Sequence, residues 1–334
     1  MDKNNGSKSN LTCRTCSSGG RVPLGLLVVL LSIVSIGTKG DYVVINVSGG
    51  VDADTYPVSH LDAPPESGWS AEYKTDKIVL AKMNPGSFVR RRLMADYPYI
   101  STNSSDQFSV SVTRPYYIGV FPVTQRQWEL VTGKRPSSFK EESTYAMRPV
   151  DSVSYTTIRG ERKGTSYPHT TNVDESSFIG ILRKKAGIPG IDIPTEDQWE
   201  YACHAGKATQ YGNGEDNPVA MLDLGRYEGN SGGTTVSKNV TTAKGTNAVG
   251  EFQPNAWGLY DMQGGIWEWC LDAVDQGNVP PMKSPLSFDV YRILKGGHWG
   301  APSLFCAASA RAGRCGSIGW DCCGVRLVLN GYKK

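Results

Sequence analysis

Residues 250–272 read GEFQPNAWGLYDMQGGIWEWCLD, and the architecture of the chain turns on them. Rings (Trp257, Tyr260, Trp267, Trp269), aliphatic side chains (Leu259, Met262, Ile266) and tight-turn glycines (Gly258, Gly264, Gly265) follow one another with neither a helical nor an alternating period. Glycine admits turns closed to other residues, and buried rings fasten the loops between turns. This stretch therefore reads as core of a loop-rich domain. Asp261 and Glu268 read as acceptors for backbone N–H groups that tie the loops down.

Regular elements flank this centre. Residues 41–47 (DYVVINV), 77–82 (KIVLAK), 116–120 (YYIGV), 292–295 (RILK) and 324–329 (GVRLVL) read as strands. Residues 123–133 (VTQRQWELVTG), 176–186 (SSFIGILRKKA) and 195–205 (TEDQWEYACHA) read as helices. Thr195 caps the third, its acidic first turn suits the helix dipole, and Gly206 ends it. His204 reads as a packed or capping histidine. Early helices, late irregular loops and strands at both ends give an α+β fold in a single domain.

The 334 residues are 39% hydrophobic and 20% charged, which suits a folded chain. A net charge of +3 with no basic stripe argues against a nucleic-acid partner. Residues 22–37 (VPLGLLVVLLSIVSIG) are uncharged and fit the apolar core of a signal peptide, with an uncleaved anchor touching the membrane as the alternative. Residues 1–40 are thus expected to be a leader and 41–334 the domain. Cys13 and Cys16 fall in the leader. Of the remaining six cysteines, Cys306, Cys315, Cys322 and Cys323 crowd near the end, at spacings unlike a secreted disulfide framework.

Six segments resemble, in order, the sulfatase-modifying, formylglycine-generating-enzyme family: 117–129, 148–155 (RPVDSVSY), 193–206 (IPTEDQWEYACHAG), 250–272, 292–299 (RILKGGHW) and 324–329. The resemblance implies a variant C-type lectin fold. It also implies a calcium ion as an option in the loops of Asp261 and Glu268. Gly265 stands where the family carries an asparagine, which weakens that option. Enzymatic members hold copper with two cysteines, a soft pair suited to Cu(I). Those positions fall here on Ala301 and Cys306. One thiol cannot make a two-thiolate site, so a copper-dependent thiol oxidase is the disfavoured alternative. No serine nucleophile elbow, HExxH or GxGxxG motif suggests other chemistry.

Residues 296–325 depart from the family in a patterned way. Gly296, Gly297, Trp299, Arg311, Gly324 and Arg326 keep their places, while small, apolar and cysteine residues stand where silent relatives carry asparagine. This resembles the variable region of diversity-generating-retroelement proteins of the TvpA type, built on the same fold. Their adenine-directed mutagenesis turns asparagine codons into many residues but never Lys, Glu, Gln, Met or Trp. Between His298 and Cys323 none of the first four occurs, and Trp299 and Trp320 are the two tryptophans. The resemblance implies a non-catalytic, exported, monomeric binder of a protein or cell-surface ligand, displayed on a bacterial surface or outer envelope. Its expected ligand positions are His298, Gly300, Ala301, Pro302, Phe305, Ala310, Ala312, Cys315, Ser317, Trp320, Asp321 and Cys322, all pointing outward from an irregular stretch. Trp299, Arg311, Arg326, Trp267 and Glu268 are the expected scaffold, the two arginines bonding loop carbonyls. No cofactor or metal is required.

Overall fold

The computed structural model describes residues 40–91, 94–96, 99–101, 107–160, 173–231, 244–273 and 291–331. The chain divides into residues 1–36 and Gly37–Lys334. The expected leader, save Gly40, lies outside the described residues.

The second unit begins with strands β1 (Tyr42–Asn46) and β2 (Val58–Leu61), a short helix α1 (Glu72–Thr75), and strands β3 (Lys77–Met83), β4 (Gly86–Arg91), β5 (Met94–Asp96), β6 (Tyr99–Ser101), β7 (Gln107–Val112) and β8 (Tyr116–Gly119). Helices α2 (Gln125–Thr132), α3 (Tyr155–Arg159) and α4 (Phe178–Ala186) follow, then β9 (Ile191–Asp192), α5 (Glu196–His204) and α6 (Met221–Leu224). The chain closes with β10 (Trp267–Ala273), β11 (Tyr291–Lys295), β12 (Arg311–Cys315), β13 (Cys323–Gly324) and β14 (Val328–Asn330).

A six-stranded sheet has the order β2-β1-β3-β8-β14-β9, so both ends of the domain meet in one layer. Leu329 of β14 pairs with Tyr117 on one side and Ile191 on the other. A four-stranded sheet, β12-β11-β10-β13, carries the late chain. In it Glu268 lies opposite Lys295, and Leu294 opposite Ala312. Helices, sheets and long irregular connections in one body are the α+β class expected.

The three expected helices form. Thr124 and Thr195 each make a reciprocal capping box with the glutamine three residues on, and Ser177 accepts from Gly180 N. Gly133 and Gly187 end α2 and α4 in the left-handed conformation, which glycine adopts without penalty. The α5 helix ends differently, because Ala205 itself takes φ 46° before Gly206. Trp128 of α2 stacks on Phe178 of α4, with centroids 4.4 Å apart and planes 12° from parallel. His204 is buried against Phe88, its ring 5.3 Å away, which accords with the packed reading.

Two expectations change. Residues 324–329 are not one strand but two, β13 pairing parallel with β10 and β14 antiparallel with β8 and β9. Arg326 sits at the break, fully buried, where its guanidinium serves both sheets. The segment expected to be wholly irregular contains β12, a paired edge strand.

Candidate functional site

Residues 296–326 are anchored at both ends. Gly296 and Gly297 take φ 100° and 77°, and a Cβ on Gly297 would lie 2.5 Å from the Cys306 sulfur. Only glycine lets the chain turn there against that sulfur. At the far end Arg326 donates to Gly119 O, Tyr260 O and Asp261 O at 2.8–3.1 Å and to both oxygens of Glu268. Trp199 Nε1 donates to the same carboxylate. A buried ion pair is tolerable when further hydrogen bonds satisfy it, and this one meets that condition. Glu268 and Arg326 are thus buried and bonded to each other, and Trp267 is buried. The Arg311 guanidinium lies 3.5 Å from the Glu196 carboxylate. Trp299 is half-buried, its backbone N–H donating to Gly265 O at 3.0 Å and its ring set edge-on to Phe139 at 5.4 Å.

The twelve expected ligand positions divide. Pro302, Ser317, Trp320 and Asp321 are exposed, Trp320 by 44%, and His298, Gly300 and Cys322 are partly exposed. Ala301, Phe305, Ala310, Ala312 and Cys315 are buried, so their outward orientation is corrected. The reason is local geometry. Side chains of a strand alternate between faces, so pairing β12 to β11 turns Ala312 inward. Phe305 lies in the 3-10 turn Ser303–Cys306, which rolls its ring into the main core together with Ala301, Ala310 and Ala312. Cys315 ends β12 facing in, its sulfur 3.4 Å from the Ser317 hydroxyl. Phe305 is thus core and not an aromatic anchor.

Trp299 Nε1 approaches Asp321 O at 3.5 Å, and the His298 and Trp299 rings meet edge to face at 5.8 Å. Burial, with a smaller push from the Arg314 guanidinium, lowers the His298 pKa to about 4, so the ring is neutral at physiological pH. The return loop is pinned from outside: Ser152 N donates to Trp320 O at 2.9 Å, and Thr156 N to Gly316 O at 3.1 Å. Ser152 takes φ 61°, uncommon for a non-glycine residue. Its hydroxyl donates to Asp151 and lies 2.9 Å from that of exposed Ser138. Arg314, Phe139, Ser138 and Ser152 complete this surface and were absent from the expected set. Three lie far from residues 296–325 in sequence. Arg314 was passed over as part of an irregular run.

The residues do not fit the metal centres of the resemblance. Position 301 is alanine, and the Cys306 thiol is buried and pushed up to about 12 by burial. A two-thiolate donor set is missing. For calcium, the Glu268 oxygens already accept from Arg326 and Trp199, and Asp261 accepts from Gly250 N at 2.7 Å. Burial raises the Asp261 carboxyl to about 6, against the charge a calcium ligand carries. Among the described residues no three His, Cys, Asp or Glu side chains group to hold a metal, and no helix is long and apolar enough to cross a membrane.

Residues 70–331 match the Sulfatase-modifying factor enzyme 1-like domain, and the chain belongs to that family. It is 30% identical over 220 residues to the chaperone protein LppX of Paenibacillus barcinonensis, covering 59% of this chain and 74% of that one. It is 32% identical over 126 residues to the formylglycine-generating enzyme of Mycobacterium tuberculosis, covering 34% of this chain and 42% of the enzyme. Among solved structures, Treponema denticola variable protein 1 superposes with a TM-score of 0.55 at 20% identity, covering 76% of this chain and 95% of that protein. The family and the C-type-lectin-like fold read from the residues are both borne out.

Proposed function

We propose that this chain is an exported, non-catalytic binding protein whose ligand contacts come from the outward side chains of residues 298–322, diversified by a retroelement. One observation carries the reading. Within one short segment, frame residues are buried and bonded while seven positions are exposed or partly exposed. Substituting exposed side chains costs little, usually within about 0.5 kcal/mol, so such a surface accepts change that the frame does not. Exposed Trp320 offers a rigid aromatic anchor of the kind that dominates protein recognition, and Trp299, packed edge-on to Phe139, offers another. The fold is shared with a protein named for its variability. The apolar run at 22–37 supports export, and the mild net charge supports a protein or cell-surface ligand over nucleic acid. The absence of the first copper-cysteine supports a binder over an oxidase.

Sequencing this gene in sister isolates tests the diversification. Substitutions are expected at codons for the outward residues, matching adenines of a nearby template copy of the 292–329 segment. Changes spread evenly along the gene would overturn it. Copper(I) and a cysteine-bearing sulfatase peptide test the absence of catalysis, and conversion of the peptide to an aldehyde would refute it.

A further inference from the structure

A cavity of about 410 Å³ opens between α2, α3 and α4, a volume at the small end of ligand pockets. Its aromatic wall is the stacked pair Trp128 and Phe178, with centroids 4.4 Å apart. Trp128 is 4% exposed, and its indole Nε1 has no hydrogen-bond partner among the described residues. A buried donor without a partner is rare in a folded protein and calls for an acceptor. The hydroxyls on the wall have the opposite character. Those of Thr132, Ser152, Ser176 and Ser177 donate to Trp128 O, Asp151 Oδ1, Asp174 Oδ1 and Asp174 O, at 2.6–2.8 Å. A hydroxyl carries a single proton and two lone pairs, so each of these keeps a lone pair, and no proton, to offer. Lys134 and Asp174 put one charge of each sign on the wall, which favours neither an anion nor a cation.

We propose that this cavity binds a small neutral polyol of the size of a single sugar ring. A ligand here must donate to several oxygens, accept from one indole N–H and carry no charge. A polyol does all three. Its hydroxyls donate to Thr132, Ser152, Ser176 and Ser177, and one of its oxygens accepts from Trp128 Nε1. Its C–H face lies against the apolar side chains of Val153 and Ile181. None of the seven outward positions of residues 298–322 lines the cavity, so polyol binding and ligand capture by that surface stand or fall separately.

The probes are myo-inositol, glucose and N-acetylglucosamine, titrated into the full chain while the tryptophan indole N–H signals are followed by NMR. At least one probe is expected to move, saturably, the signal that Trp128→Phe removes. Trp128→Phe keeps a ring on Phe178 and is expected to weaken that probe about fivefold, the worth of a hydrogen bond. Ser176→Trp places a bulky ring at an exposed position of the wall and is expected to abolish binding. A chain with asparagine at 298, 317, 320 and 321 is expected to bind as the native chain does. A free polyol and the end of a glycan offer the same ring, so maltotriose and chitotriose are titrated as well. Binding of a trisaccharide identifies a glycan site, and binding of the free ring alone a metabolite site. If none of these probes moved the Trp128 signal, no polyol site would exist here. Binding that survived Ser176→Trp, or vanished in the asparagine chain, would place the polyol elsewhere and overturn the assignment.

Discussion

Arg326 and Trp320 stand six positions apart and illustrate opposite demands on a side chain. Arg326 is 0% exposed, and its guanidinium donates to a carboxylate and three carbonyl oxygens contributed by three separate stretches of chain. Removing one partner of a buried ion pair leaves the other charge uncompensated, which costs about 3–5 kcal/mol. Arg326→Ala is therefore expected to lower the free energy of urea unfolding by about that amount, leaving Glu268 buried and unpaired. Trp320→Ala removes a large but 44% exposed ring whose backbone carbonyl, not its indole, holds the loop. Its expected cost lies within about 0.5 kcal/mol. Comparable losses from the two substitutions would contradict the separation of frame from surface. A similar reading applies to Glu200. Burial alone would raise its carboxyl, but Lys295, His204 and Arg90 outweigh burial and hold it at about 2. The Lys295 ammonium, 2.8 Å away and itself fully buried, is the nearest of these.

At the scale of elements, α5 packs against β10 and β11 of the second sheet and against β4 and β7. Its first turn is closed twice, by the Thr195 capping box and by Asp272 of β10, whose carboxylate accepts from Glu196 N at 2.6 Å. Thr195→Ala is expected to cost about 1 kcal/mol in thermal or urea unfolding. Asp272 adds a pH dependence. Burial, with help from Glu196 and Asp197, raises its carboxyl from 3.8 to about 6 in the folded protein. As pH rises the unfolded chain therefore loses this proton first. The stabilisation is complete below the unfolded value and is lost as pH climbs through about 6. Asp272→Asn abolishes that loss, so its stability relative to the native chain should improve between about pH 4 and about pH 7. A constant difference across that range would show that Asp272 does not titrate this way. The capping residue that makes α5 was legible in the sequence, and α2 and α4 were legible as helices, because caps and helical period are local signals, while the caps Thr124 and Ser177 come from the structure. The strands β1, β3, β8 and β11 were legible from their β-branched runs. The β12 strand, RAGRC, was not, since Ala, Gly and Arg carry little strand preference and its pairing to β11 supplies the order. The inward half of residues 298–322 was lost with it: once β12 was taken for loop, Ala310, Ala312 and Cys315 had no face to turn toward.

The whole domain closes because its first and last strands share one sheet while the late chain forms a second sheet, with Arg326 spanning the break between them. This topology leaves the exposed side chains at the loop ends of the second sheet, where substitution costs either layer little. It also sets a limit, because β12 and the turn before it carry Phe305, Ala310 and Ala312 into the main core. Small residues at 310 and 312 are matched to that space, being 0% and 2% exposed. Ala310→Leu would overpack it, at a cost of about 1–3 kcal/mol. The decisive comparison sets that single variant against a chain in which His298, Ser317, Trp320 and Asp321 are all replaced by asparagine. The fourfold variant should unfold close to the native temperature and keep the native circular dichroism, while Ala310→Leu melts earlier. His298 is the sternest member of the set, being half-buried and neutral, and asparagine can still accept from Gly300 N as its Nδ1 does at 3.1 Å. If the fourfold variant unfolded and Ala310→Leu did not, change at this surface would damage the frame, and a diversified binding site could not be sustained on this fold.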